Sequence, residues 1–355
     1  MLADDDELMF APTPITDTVV LLVQIVHTLG LLVFAGVVFS EVGVLRDRET
    51  PRLLRRIRIA AGISAIVCAP LLVVTEALRV SGREIDAITA PNAWAPAIWW
   101  QLAATGAVSV AGVCLAGAVL CLRRRALVHV DDNRAVTIST ERRGRDVVAL
   151  TNRGVDAWGI VAVFAAAAAA SVPVLLGHTQ SVHPHGLVQL VDVVHLLAGA
   201  FWVGGTCALA LCYRAARVGE GSGEAAVTAL ITVRFSTIAL ATVIALVCAG
   251  GVLALLVLDS PAEIATTGWG RILVIKTVLV LCVGAAAAWN RWRLLPHVTR
   301  HLDAAAQWSA LRTVVLIEAA LLVVIVVVSG LLANADPHGH GALEAVAAVG
   351  SSVRS

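Results

Sequence analysis

The chain alternates between long apolar runs and short polar stretches, and the apolar runs predict its fold. An α-helix needs about 20 predominantly apolar residues to cross the hydrocarbon core of a bilayer. None of the runs alternates like a barrel strand, and a helix satisfies its own backbone hydrogen bonds in lipid. The pattern therefore predicts an all-α, polytopic integral membrane protein with eight transmembrane helices. The predicted spans are 18–42, 57–78, 95–121, 155–177, 187–213, 235–258, 269–290 and 311–333.

Composition and charge placement add an orientation to this picture. Hydrophobic residues make up 59% of the chain and charged residues 14%, whereas soluble proteins carry about 25% charged residues. Most arginines lie in the loops after spans one, three, five and seven. The positive-inside rule places these loops in the cytoplasm and both termini outside a plasma (inner) membrane. The acidic start, MLADDDELMF, lacks the basic region of a signal peptide, so we expect no cleavage. The bilayer is the expected partner, and nucleic acid is not.

The two halves of the chain resemble each other when His27 is laid on His195. The overlay predicts two tandem four-helix units in the same orientation, as in transporters with parallel repeats. Further matches are Gly36 with Gly204 and residues 65–69 with residues 245–249. The predicted organisation is an outer tail at 1–17, a first unit at 18–177 with a basic cytoplasmic connection at 122–154, a second unit at 178–335, and an outer tail at 336–355.

Residues 191–206, VDVVHLLAGAFWVGGT, form an apolar stretch that nevertheless carries an acid and a histidine. Asp192 and His195 are three residues apart, so they lie on one stripe of a helix. Ionisable residues in a membrane helix are costly and mark candidate functional sites. Imidazole binds copper, zinc, iron and nickel, and Asp192 could orient the ring or bind directly. We therefore predict a metal site formed by His27, His195 and Asp192. The alternative is that each histidine hydrogen-bonds a neighbouring helix.

Two other ionisable residues fall inside predicted spans. Lys276, the only lysine, lies in span seven, and Glu318 lies in span eight. Neither is expected to be charged and unpaired in hydrocarbon. Lys276 could pair with Glu318 or with Asp192, and either arrangement could be a structural pair or part of an ion relay.

Histidines also cluster in the segment before span five, GHTQSVHPHG. His178, His183 and His185 lie there on the predicted outer face, and His-x-His spacing suits capture of a metal ion. Methionine occurs only twice, at Met1 and Met9, so a thioether path for Cu(I) is not expected. The seven cysteines all fall within predicted spans without a CxxC pattern, so we expect no disulfides.

Several motifs follow one another between residues 177 and 335. They are Gly177-His178, the stretch from His195 through Trp202 to Gly204-Gly205, Arg234-Phe235-Ser236, the stretch from Gly268-Trp269-Gly270-Arg271 to Lys276, Asn290-Arg291 with Pro296, and Leu311-Arg312 leading to Glu318. In this order and placement they resemble the copper resistance protein D (CopD) family of bacterial membrane proteins. The resemblance implies an inner-membrane protein that handles copper, often described as copper import from the periplasmic side.

The sequence thus favours copper transport through an intramembrane histidine site reached from outside, with a periplasmic copper-binding protein as a possible partner. One alternative is a membrane redox protein with haem b, because two histidines on facing helices are the minimal axial ligands of haem. Another is a non-transporting factor that inserts copper into a respiratory oxidase. No Walker, dinucleotide-binding or GxSxG motif is present, so we expect no enzyme activity.

Overall fold

The computed structural model describes residues 14–46, 50–80, 96–135, 155–175, 183–216, 222–258, 260–300 and 305–335. These residues form eight helices long and apolar enough to cross a membrane, and they contain no strand. The prediction of an all-α, polytopic membrane protein is confirmed. The helices are α1 (Pro14–Gly43), α2 (Arg52–Val80), α3 (Pro96–Ala135), α4 (Ala157–Ala170), α5 (His185–Ala216), α6 (Ser222–Val257), α7 (Gly268–Trp289) and α8 (Ala305–Asn334).

Four short elements extend these helices. A 3₁₀ turn at Val172–Leu175 follows α4, and a helical turn at Glu263–Thr266 precedes α7. A π-helical turn at Asn290–Leu294 and a short helix at Leu295–Arg300 continue α7. α3 runs to Ala135, so its helix extends into the predicted cytoplasmic connection. The rest of that connection, most of the predicted tail at 1–17 and all of the predicted tail at 336–355 lie outside the described residues.

The start of α7 explains part of the Gly-Trp-Gly motif. Thr267 caps the helix, because its hydroxyl oxygen accepts a hydrogen bond of 2.9 Å from the backbone N–H of Gly270. A Cβ atom at Gly270 would lie within 2.5 Å of backbone atoms of Glu263 and Ile264. This close approach requires glycine. The motif therefore fixes how the preceding turn packs on α7.

α1 and α5 cross at the centre of the bundle. A Cβ atom on Gly36 would lie 1.8 Å from the carbonyl oxygen of Ala200 and 2.8 Å from the Cα of Gly204. Small residues at a helix crossing allow backbones to approach closely in a membrane. The two glycines that the sequence overlay paired are thus in contact.

The two halves differ in how their outer helices pack. In the first half α2 packs along α3, while α3 also packs on α4 and α1 packs on α2. In the second half α5 packs on α6 and α7 packs on α8, but α6 and α7 have no comparable contact in the described chain. A gap therefore separates α6 from α7.

Ion pairs lie at the end of the bundle where the arginines are concentrated, called here the Arg-rich end. Arg58 on α2 donates from Nε to Glu41 on α1 at 3.2 Å, and both side chains are almost fully buried. Arg123 on α3 lies 2.8 Å from Asp156, just before α4. These pairs join neighbouring helices at that end.

Candidate functional site

His195 lies on α5 in the half of the membrane opposite the Arg-rich end, and its ring faces α6. Its Nδ1 is 3.2 Å from the backbone carbonyl oxygen of Leu246. A carbonyl oxygen only accepts hydrogen bonds, so Nδ1 carries the proton and Nε2 carries the lone pair. The ring rests on Gly250, where an added Cβ would lie 3.1 Å from Cε1 and 3.3 Å from Nδ1. Gly250 therefore leaves the space that the ring occupies.

His27 has the same kind of anchor in the first half. Its Nδ1 donates to the backbone carbonyl oxygen of Ala65 on α2 at 3.0 Å, so Nε2 is again the acceptor. The Ser109 hydroxyl on α3 lies 3.5 Å from Nε2. The His27 side chain is only 1% exposed, and the cavity beside it is about 10 Å³. That space suits a single water molecule.

Both rings therefore donate Nδ1–H to a backbone carbonyl oxygen on the next helix, which leaves Nε2 as the acceptor nitrogen. Histidines that bind metals almost always donate their other ring N–H to a carbonyl or carboxylate in this way. The acceptor is the backbone oxygen of Ala65 in the first half and that of Leu246 in the second half. The overlay of the two halves pairs Ala65 with Ala245, so the two acceptors differ by one position.

The rings of His27 and His195 do not contact the same helices. His27 contacts α2 and α3, whereas His195 contacts α6. Among the described residues no group of three or more histidine, cysteine, aspartate or glutamate side chains could hold a metal ion. The predicted site shared by His27, His195 and Asp192 is therefore not assembled as such in the described part of the chain. The small cavity at His27 also offers no space for haem.

Lys276 completes a charged cluster around His195. Lys276 on α7 interacts electrostatically with Asp192 and with His195, both on α5. Of the two partners predicted for this lysine, the structure places Asp192 near it. The opposite charges of Lys276 and Asp192 offset each other in the membrane, which a lone charge could not do.

Two of the predicted outer histidines lie at the start of α5. His183 and His185 are exposed, and their ring centroids are 3.9 Å apart. His185 precedes His195 by ten residues of helix, which is about 15 Å along the axis. Asp192 lies between them on the same helix. His178 lies outside the described residues.

Glu318 lies in a different place, near the Arg-rich end, and is 3% exposed. It accepts a short hydrogen bond at Oε1 from the Nδ2 of Asn290. Asn290 begins the π-helical turn that follows α7, and such turns occur often at functional sites. The sequence had singled out Asn290 only as part of a motif. The long separation of the two residues along the chain gave no signal of their contact.

A cavity of about 240 Å³ opens beside this pair, between α6 and α7. Its walls are mostly apolar, and Trp202 and Phe235 lie among them. Two hydroxyl contacts occur in its lining. Arg291 donates to the Ser236 hydroxyl at 2.7 Å, and the Tyr213 hydroxyl lies 3.0 Å from that of Thr232. Thr232 donates its own proton to the backbone oxygen of Thr228, so Tyr213 is the donor between them.

All seven cysteines lie in the described part of the chain, and none of them forms a disulfide there. Cys212 is buried, Cys68 and Cys207 are partly buried, and the other four lie exposed on the outer faces of the helices. None of them lines the cavity beside His27.

The fold and these sites define a polytopic helical membrane protein with two anchored histidines inside the bundle and a separate, mostly apolar cavity. A sequence model of the family Copper resistance protein D (CopD) matches residues 229–332. The chain is also 32% identical over 161 residues to inner membrane protein YebZ of Escherichia coli (strain K12). That alignment covers 45% of this chain and 51% of the relative, so it spans about half the length of each protein. No solved structure matches the chain.

These comparisons confirm the resemblance to the CopD family, with the family match in the second half of the chain. The matched region contains Lys276, Asn290 and Glu318, while His195 precedes it. The family description connects this half with copper handling.

Proposed function

We propose that the protein transports copper across the plasma membrane, taking up the ion from the face opposite the Arg-rich end. The observation that carries the proposal is the His195 ring, whose Nδ1 is anchored on Leu246 and whose Nε2 is left as an acceptor. The description of the family matched over residues 229–332, Copper resistance protein D, supports copper as the metal. The Escherichia coli relative is described as an inner membrane protein, which agrees with the proposed location.

In this proposal His183 and His185 collect the ion, and it then moves along α5 to Asp192 and His195. A transport site must bind its ion strongly enough to take it up and weakly enough to release it. One imidazole and one carboxylate suit that requirement better than a closed set of four ligands. His27 supplies a second imidazole in the first half, at a separate position rather than in one shared site.

Lys276 sets the charge of this site when copper is absent. Its ammonium group interacts with Asp192 and lies near His195, so it opposes the entry of another cation. An arriving copper ion competes with Lys276 for the Asp192 carboxylate. Lys276 and Asp192 thereby form a pair that opens when the ion binds, and the lysine limits how tightly copper is held.

Copper binding to purified protein tests the proposed residues. We expect the His27→Ala/His195→Ala double variant to lose copper at equilibrium dialysis, with His195→Ala alone causing the larger part of the loss. The matched control is His297→Ala, because His297 is exposed near the Arg-rich end and bonds only the backbone oxygen of Arg293. Equal copper content in wild type and double variant would remove the intramembrane site from the proposal.

A further inference from the structure

The cavity between α6 and α7 has no part in the proposed copper site. It lies toward the Arg-rich end, whereas His195 and Asp192 lie in the other half of the membrane. Its volume of about 240 Å³ exceeds the roughly 150 Å³ at which an apolar protein cavity accepts benzene. The cavity can therefore hold an aromatic ring together with its substituents.

The polar end of the cavity has a hydrogen-bond acceptor to which no group in the described part of the chain donates. Asn290 is 9% exposed, its Nδ2 donates to Glu318, and its buried Oδ1 has no hydrogen-bond partner among the described residues. Buried polar atoms in proteins almost always have a partner, because leaving one unpaired is costly. The arrangement favours a ligand that donates a hydrogen bond to Asn290 Oδ1.

The charges around the cavity limit what that ligand can be. Glu318 and Arg291 both lie in the lining, so its acidic and basic side chains are balanced and favour neither an anionic nor a cationic headgroup. A metal ion would find only Glu318 as a charged ligand there, and no group of three metal-binding side chains occurs in the described chain. The donor is therefore best supplied by a neutral hydroxyl group.

The route into the cavity indicates where the ligand comes from. α6 and α7 do not pack along each other as α2 and α3 do. Small residues of α7, Gly284, Ala287 and Ala288, line the gap, and a Cβ atom at Gly284 would meet nothing within 4 Å. An apolar tail can extend through this gap into the surrounding lipid.

We infer that the cavity binds an alkyl-substituted quinol from the bilayer. Its ring lies among the apolar walls near Trp202 and Phe235, and one hydroxyl donates to Asn290 Oδ1. Glu318 holds the Asn290 amide in the orientation that presents this oxygen. The inference does not depend on copper transport, because it uses a different cavity and different residues.

The test measures binding of a decyl-substituted benzoquinol to the full-length protein in lipid nanodiscs, under anaerobic conditions. Its dimethyl ether, which has the same ring and tail but no donor, is the matched ligand. We expect the quinol to bind about tenfold more tightly than the ether, the usual scale for leaving a buried acceptor unpaired. In Asn290→Leu we expect that preference to vanish. In Asn334→Leu, the same change at the other end of the bundle, it persists.

A second variant covers the case in which Asn290→Leu fails to fold. Ala288→Leu adds bulk to the gap without touching the polar end, and it should weaken binding of quinol and ether alike by about tenfold or more. Equal binding of quinol and ether to the wild type would overturn the inference and indicate an apolar groove filled by lipid tails. Absence of quinol binding, or quinol binding unchanged in Ala288→Leu, would overturn it as well.

Discussion

Gly250 offers the sharpest test of how the bundle holds the His195 ring. An alanine Cβ there would lie 3.1 Å from Cε1 and 3.3 Å from Nδ1, closer than ordinary van der Waals contact. The ring must move by a few tenths of an ångström, which lengthens its 3.2 Å bond to the Leu246 carbonyl oxygen. Gly251 provides the matched control, because a Cβ atom there would meet nothing within 4 Å.

The expected magnitudes follow from two opposing effects. Alanine stabilises a helix interior by about 1 kcal/mol relative to glycine, and this gain applies to both variants. Gly250→Ala also weakens a hydrogen bond that contributes roughly 0.5–1.5 kcal/mol. We therefore expect Gly251→Ala to raise the free energy of unfolding by about 1 kcal/mol and Gly250→Ala to leave it nearly unchanged.

Copper affinity should separate the two variants more clearly than stability does. Loss of a group that orients a metal-binding histidine typically lowers metal affinity about 10- to 100-fold. We expect a loss of at least about tenfold in Gly250→Ala and none in Gly251→Ala, measured by competitive titration with a copper chelator in detergent. Denaturant unfolding of the same samples supplies the stabilities. Equal copper affinities in the two variants would refute the role assigned to the Leu246 hydrogen bond.

Three further predictions concern charge and packing elsewhere in the bundle. Lys276→Met should tighten copper binding by about tenfold, because the like charge beside the site is removed, and an unchanged titration would exclude the proposed competition. Gly36→Ala should destabilise the bundle by at least 1–3 kcal/mol through overpacking at the α1–α5 crossing. Gly117→Ala is its control, since no atom lies within 4 Å of the added Cβ, and equal unfolding midpoints for both would contradict the close crossing. Glu41→Gln should cost about 3 kcal/mol, because the glutamine oxygen can still accept from Arg58 but no longer compensates its largely buried charge; a loss below 1 kcal/mol in unfolding experiments would mean that water screens this pair.

The helices were predictable because each one is a long apolar run. Length alone distinguishes such a run from a core strand, and lipid leaves the backbone no alternative to helix. The ends were less predictable. α3 continues to Ala135 through arginines and aspartates, because a helix can extend beyond the membrane without an apolar face. Glu41 likewise has the sequence context of a surface pair, yet tertiary packing buries it against Arg58.

The candidate site was predictable in its members but not in its geometry. His27 and His195 stand out because ionisable residues are rare in membrane spans. Which neighbour each ring faces depends on how α1 and α5 are rotated about their axes, and the Gly36–Gly204 crossing fixes that rotation. The contact of Asn290 with Glu318 depends on the π-helical turn after α7. The gap between α6 and α7 has no sequence signal, because both helices are apolar whether or not they touch.

Copper flux into proteoliposomes tests the central claim most directly. Vesicles containing wild type, His195→Ala or His297→Ala would be given external copper, and a copper-sensitive dye inside would record its entry. We predict entry with wild type and with His297→Ala, and loss of entry with His195→Ala to the level of protein-free vesicles. Flux through His195→Ala equal to that of wild type, or copper binding without flux in wild type, would contradict the claim, and the latter result would favour a role in delivering copper to another protein.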